Sequence, residues 1–399
     1  RNNPSDWDIT GSSPAKDIGT LNGAPATDIS NASRIGNPDA GCFESAGDYI
    51  WDTDPSPGIL GGSGTWGSNN YWTTDGTTLA AWPGGGNATF AGNNGSYTIT
   101  INGTQTVNRI TFSSTGYTLN SGILNFSSAG TISTGAAATI SSVISGSSGL
   151  TKSGSAQLLL SGNNTFSGGL TVSSGILKVG SATALGHADN YITVNSGAAI
   201  DINGFNIQNY SQNIVINGQI DANTGALFNS GSDQLSAIRQ IALGSNASIG
   251  SNGGKFDIGR NYSGNIRLTG NNHTLTKVGS NEVSLLADGS NLSSVIINGG
   301  SLGFETNNSV GNAPVTINSG AKLSFWGNRT FTNSITINNG QITQPNTGFT
   351  VTFNGPISIN GTATFNNNTT GSITFGVTIS GNGGILKTGT GPVILSGSN

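Results

Sequence analysis

A short phrase recurs along this chain: two apolar residues on alternate positions, a Gly corner, then two more apolar residues. It reads Leu170, Val172, Gly175, Leu177, Val179. It returns at Ile192, Val194 and Gly197, and at Val295, Ile297, Gly300, Leu302 and Phe304. Val315, Ile317 and Gly320 repeat it, followed by Ile335, Ile337, Gly340 and Ile342. Gly175 and Gly197 lie 22 residues apart, and Gly300, Gly320 and Gly340 follow at intervals of 20. Alternate residues of a strand point to opposite faces, so Val315 and Ile317 face a core while Thr316 faces out. A strand-period phrase at this spacing predicts an all-β fold, a right-handed parallel β-helix (β-solenoid) of about 20–22 residues per coil.

The phrase first reads cleanly at Tyr117, Leu119, Gly122, Leu124 and Phe126, so the repeat region is placed at 116–399. At about 4.8 Å per coil it predicts roughly 13 coils. Helical periodicity is weak, the best stretch being Ser232 to Leu243. Residues 48–115 are irregular and aromatic-rich, with four of the six Trp between Trp51 and Trp82. A solenoid end exposes unpaired backbone that something must cover, and this segment is read as that cap. Trp51, Trp66, Trp72 and Trp82 are its candidate contacts for a glycan or protein partner, because exposed aromatic rings stack on sugar faces.

Composition narrows the function. Only 8% of residues are charged, the net charge is −4, and Gly accounts for 63 of 399 residues. Without a basic stripe, nucleic acid is not an expected partner. Apolar runs of a few residues do not make a membrane span. Cys42 is the single cysteine, so no internal disulfide forms, and it is read as a small buried residue. His187 and His273 are the only histidines, and no metal or cofactor is expected. An enzyme of the polysaccharide lyase or hydrolase type needs clustered carboxylates. The repeat region offers few, with Asp201 and Asp221, or Asp233 and Asp257, as the pairs spaced to stack. The expectation is therefore no enzyme.

Two resemblances extend this reading. Ser13-Pro14-Ala15, followed by Arg34-Ile35-Gly36-Asn37-Pro38-Asp39-Ala40-Gly41-Cys42-Phe43-Glu44, resembles the closing segment of certain secreted parallel β-helix modules, with Ala40 and Cys42 as departures. Residues 1–47 are accordingly read as the tail of an upstream module. A longer phrase begins Leu150-Thr151-Lys152-Ser153-Gly154, continues through Leu158-Leu159-Leu160-Ser161-Gly162-Asn163-Asn164-Thr165-Phe166, and ends near Gly186. It returns in part at Leu275-Thr276-Lys277 and at Leu386-Lys387-Thr388, where Asn399 interrupts it and the repeat region reads as truncated. This phrase resembles the autotransporter-associated β-strand repeat, also called the passenger-associated transport repeat. The resemblance implies a right-handed β-solenoid exported to the bacterial surface or beyond it. Lys152, Lys277 and Lys387 are read as solvated positions of the phrase. The expected role is structural: a stalk, fibre or adhesin segment that self-associates end to end or laterally. Contacts with surface glycans or with a host or neighbouring cell are the alternative.

Overall fold

The computed structural model describes residues 47–212, 214–260, 265–345 and 348–398. Cys42 and nearly all of the 1–47 segment lie outside the described residues. Within them every regular element is a strand, and almost every pairing is parallel. The chain divides between Gly149 and Leu150 into two compact units.

The first unit already coils within the segment read as a cap. Strand Asp48–Trp51 pairs in parallel with Asn87–Phe90, which pairs with Arg109–Phe112, and that with Thr131–Thr134. A second ladder stacks Gly64–Trp66, Tyr97–Ile101 and Tyr117–Asn120. A third joins Thr104–Val107 to Ile123–Phe126 and Val143–Gly146. The first coil of this unit is long because residues 67–86 fold back as an aromatic insert after Gly64–Trp66. Within that insert, Trp72–Thr73 pairs antiparallel with Ile50–Trp51.

The second unit builds three faces per coil. The first face stacks Leu150, Leu170, Ile192, Ile214, Ile241 and Leu268, one above another. The second stacks Leu177 on Leu158 and Ile200 on Leu177, and later Val295, Val315, Ile335, Ile357 and Ile379. The third stacks Phe256, Val283, Leu302 and Leu323. Most coils keep the 20–22 residues expected. Those stepping from Ile214 to Ile241 and on to Leu268 take 27; the first includes a turn at Asp221–Thr224 and the third-face strand Gln234–Ile238, the second the third-face strand Phe256–Ile258. The stretch with the best helical period thus becomes two strands, since Leu235 faces solvent while Ala237 and Ile238 enter the core.

The recurring phrase does not keep one place in the coil. Leu170–Val179 spans the first and second faces, whereas Val295–Phe304 spans the second and third. What the phrase encodes is a corner with a strand on each side. Gly300 shows why the corner needs glycine: its φ is +61°, and a Cβ there would lie 2.2 Å from the Asn281 carbonyl oxygen. Beneath the later coils the core is a file of rings, with Phe331, Phe353 and Phe375 stacked at centroid distances of 5.8 and 5.2 Å.

Candidate functional site

The four tryptophans singled out in sequence do come together, but inside the first unit. Trp51, Trp66 and Trp72 are each 0% exposed. Trp66 lies 4.7 Å from Trp72 and 5.0 Å from Trp82 between ring centroids, and Trp51 packs edge-on against Trp72. Strand parity explains the burial. Trp51 and Trp66 sit on the inward positions of their strands, over Phe90 and Ile101. Their rings fill the volume that a regular coil would fill with aliphatic side chains. Rings buried in this way offer no face to a sugar, so Trp51, Trp66 and Trp72 are corrected from contact residues to core. Only Trp82 is partly accessible, and its indole N–H is used on the Thr106 carbonyl at 3.0 Å.

The lysines of the longer phrase are the larger correction. Lys152 is 1% exposed and Lys277 is 0% exposed. The Lys152 ammonium donates to the carbonyls of Gly154, Ala156 and Ser174 at 2.6, 2.7 and 2.7 Å. Lys277 repeats the arrangement on Val278, Gly279 and Gly299 at 2.7, 3.2 and 3.2 Å. An ammonium has three donors, and each cage supplies three acceptors. In both cages two carbonyls belong to the lysine's own turn, and the third comes from the following coil, 22 residues on. The lysine therefore ties one coil to the next at a Gly-rich corner where no strand pairing is available. Burial pulls the Lys152 amine down to about 8 and Lys277 to about 7, the latter partly countered by Glu282. Lys387 is the exposed member of the set and bonds only within its own turn, to Gly389.

Buried asparagines do similar work and carried no signal as single residues. Asn164 donates to the Ala184 carbonyl at 2.7 Å, one coil on. Asn190 reaches both Phe166 and Leu185, and Asn333 reaches Gly311 and Ala313. On the outer surface Asn298, Asn318, Asn338 and Asn360 form a side-chain amide ladder, each bonded to the next at 2.7–3.0 Å.

The carboxylate pairs expected to stack do not. Asp201 aligns with Phe228 and bonds Ser230 and Lys178, while Asp221 caps its own turn at Asn223 and Thr224. Asp233 accepts from the Lys255 backbone rather than meeting Asp257. His187 makes a 3.8 Å contact with Asp189 in an exposed turn. Among the described residues no group of three or more His, Cys, Asp or Glu is placed to hold a metal ion, and no helix is long and apolar enough to cross a membrane.

Comparison with known proteins bears on the caged lysine. Residues 150–179 match the family model described as the passenger-associated-transport-repeat. That window contains Lys152 and all three of its carbonyl partners. The chain is also 36% identical over 169 residues to the adhesin BmaC autotransporter of Brucella suis biovar 1 (strain 1330), a match covering 40% of this chain. The match spans 5% of that relative's length. No solved structure matches the chain. The chain thus resembles autotransporter passengers and adhesins, and the repeat and the relative place it at the bacterial cell surface or outside the cell.

Proposed function

We propose that this chain is a load-carrying segment of a surface adhesin: a β-solenoid that holds binding regions away from the cell and performs no catalysis itself. The observation that carries this reading is the coil-tying Lys152 cage inside the matched transport repeat. A corner that recruits its third acceptor from the next coil favours orderly stacking of coils, which is what an exported scaffold requires. The relative's name, an autotransporter adhesin, supports the same role. Deleting residues 150–398 in frame from the protein in its source cells is the test. Intact cells should label with antibody against this segment, and the deletion should reduce attachment. An antigen found only after lysis, or attachment unchanged by the deletion, refutes the proposal.

Self-association belongs to the same reading. The outward amides of Asn298, Asn318, Asn338 and Asn360 stand in one column, each bonded to the next. Such a column offers a second copy a regular row of hydrogen-bonding groups for side-by-side association. Sedimentation of the purified chain checks this, and a strict monomer across the micromolar range counts against it.

A further inference from the structure

On the third face of the second unit, the strands Phe256–Ile258, Glu282–Leu285, Ser301–Phe304 and Lys322–Phe325 stack so that Asp257, Ser284, Gly303 and Ser324 form one row. These residues alternate with the core positions, so they point outward. Yet Asp257, Ser284 and Ser324 are 0%, 1% and 2% exposed. The row is a trough: small side chains form its floor and larger groups close over it. The Lys255 ammonium lies 2.6 Å from Glu282 Oε1 and 4.7 Å from the centre of the Trp326 ring. Arg260 pairs with Asp257, and the Arg329 guanidinium donates to the carbonyls of Asn328 and Trp326. A Cβ on Gly303 would come within 2.8 Å of Ser284 Oγ and 3.2 Å of Glu305 Oε1, so the Glu305 carboxyl sits over the one floor position that has no side chain.

Three buried polar atoms in this cluster have no hydrogen-bond partner: Asp257 Oδ1, Glu305 Oε1 and Arg329 Nε. Buried polar groups are almost always satisfied, so three orphans in one place point to a missing occupant. The set contains acceptors and a donor, beside an indole that is 39% exposed. A metal ion would not suit the Arg329 donor, and an anion, which only accepts hydrogen bonds, would leave the Asp257 acceptor unsatisfied. A sugar hydroxyl both donates and accepts, and the C–H face of a pyranose packs on an aromatic ring.

We propose that this trough binds an uncharged, hydroxyl-rich sugar residue, with Asp257 and Glu305 facing its hydroxyls, Arg329 donating to one of them, and Trp326 covering its apolar face. Lys255 lies over the trough as a flexible strap and swings out as the sugar enters. Burial raises the Glu305 carboxyl to about 8, so at neutral pH it carries a proton to donate to a sugar oxygen. The site is distinct from the scaffold role and does not depend on it, because binding is read on the purified chain.

The test uses cellotriose, maltotriose, galactobiose and diacetylchitobiose as probes, titrated into the full chain by calorimetry and by tryptophan fluorescence. At least one probe should bind saturably. Trp326→Ala, Glu305→Gln and Asp257→Asn should each weaken it by about tenfold or more, and Trp82→Phe should leave it unchanged. Far-UV circular dichroism confirms that each variant is folded. If Asp257→Asn does not fold, the exposed Trp326→Ala and the half-buried Glu305→Gln still decide the matter. Four probes without saturation, or Trp326→Ala and Glu305→Gln binding as the wild type does, overturn the proposal. So does a crystal soaked in the sugars in which ordered water alone bridges the three orphan atoms.

Discussion

Replacing Lys277 with Met tests the carbonyl cage through its proton. Lys277 is fully buried and its amine is drawn down from the ordinary 10.5 to about 7, with burial the dominant cause. Between those two values the unfolded chain binds a proton that the folded chain has released. Stability therefore rises with pH across that window and is independent of this group below it. Each pH unit within the window contributes about 1.4 kcal/mol, so raising the pH from 7.5 to 9.5 adds ~2.7 kcal/mol from Lys277. The neutral amine keeps two N–H donors for the three carbonyls, so the cage survives deprotonation. Lys277→Met removes the titration entirely. Urea denaturation followed by far-UV circular dichroism at pH 6.5, 8 and 9.5 measures both proteins. The stability difference between wild type and variant should grow with pH in the wild type's favour, with similar m-values. Lys387→Met, in the exposed copy of the phrase, should leave the midpoint unchanged. Parallel pH profiles for wild type and Lys277→Met would refute the reasoning, because the carbonyls would then be holding the ammonium charged against the cost of burial.

Two further substitutions probe the elements that shape the coils. Trp66→Ala removes a fully buried ring in contact with Trp72, Trp82 and Phe90, and should cost about 3–5 kcal/mol, read as an early loss of tryptophan fluorescence anisotropy on heating. Gly300→Ala places a methyl 2.2 Å from a backbone oxygen at positive φ; it should destabilise the second unit by at least ~1 kcal/mol, whereas Gly320→Ala, with open space around its Cβ, should cost less when the two are compared in the same urea series.

The solenoid was legible because inward and outward residues alternate so cleanly, as in the Val315–Ile317 and Ile335–Ile337 strands, whose buried apolar residues flank a half-buried Thr. The same parity puts Lys152 two residues after the buried Leu150, and Lys277 two after Leu275, on the core side. Charge suggested a solvated position, and parity was the better guide. Lys387 aligns with the buried Phe365, so it too follows the inward parity. The tryptophans of residues 51–82 misled because an aromatic cluster looks the same in sequence whether it forms a platform or a core. The trough was not legible at all. It depends on a 27-residue step that brings Lys255 level with Glu282, and on a register in which Glu305 and Trp326 fall beside a row of small residues. No local pattern reports either.

The sliding of the Gly-centred phrase around the coil affects how such a chain can be lengthened or copied. Because the phrase occupies the first two faces at Leu170–Val179 and the next two at Val295–Phe304, identical copies of it need not point the same way. An outward residue at a given place in the phrase emerges about a third of a revolution away in one half of the second unit relative to the other. Gene duplication measured in phrases would scatter a useful surface residue over different sides of the coil. Duplication measured in whole coils would line such residues up in a column, as the amides of Asn298, Asn318, Asn338 and Asn360 are lined up.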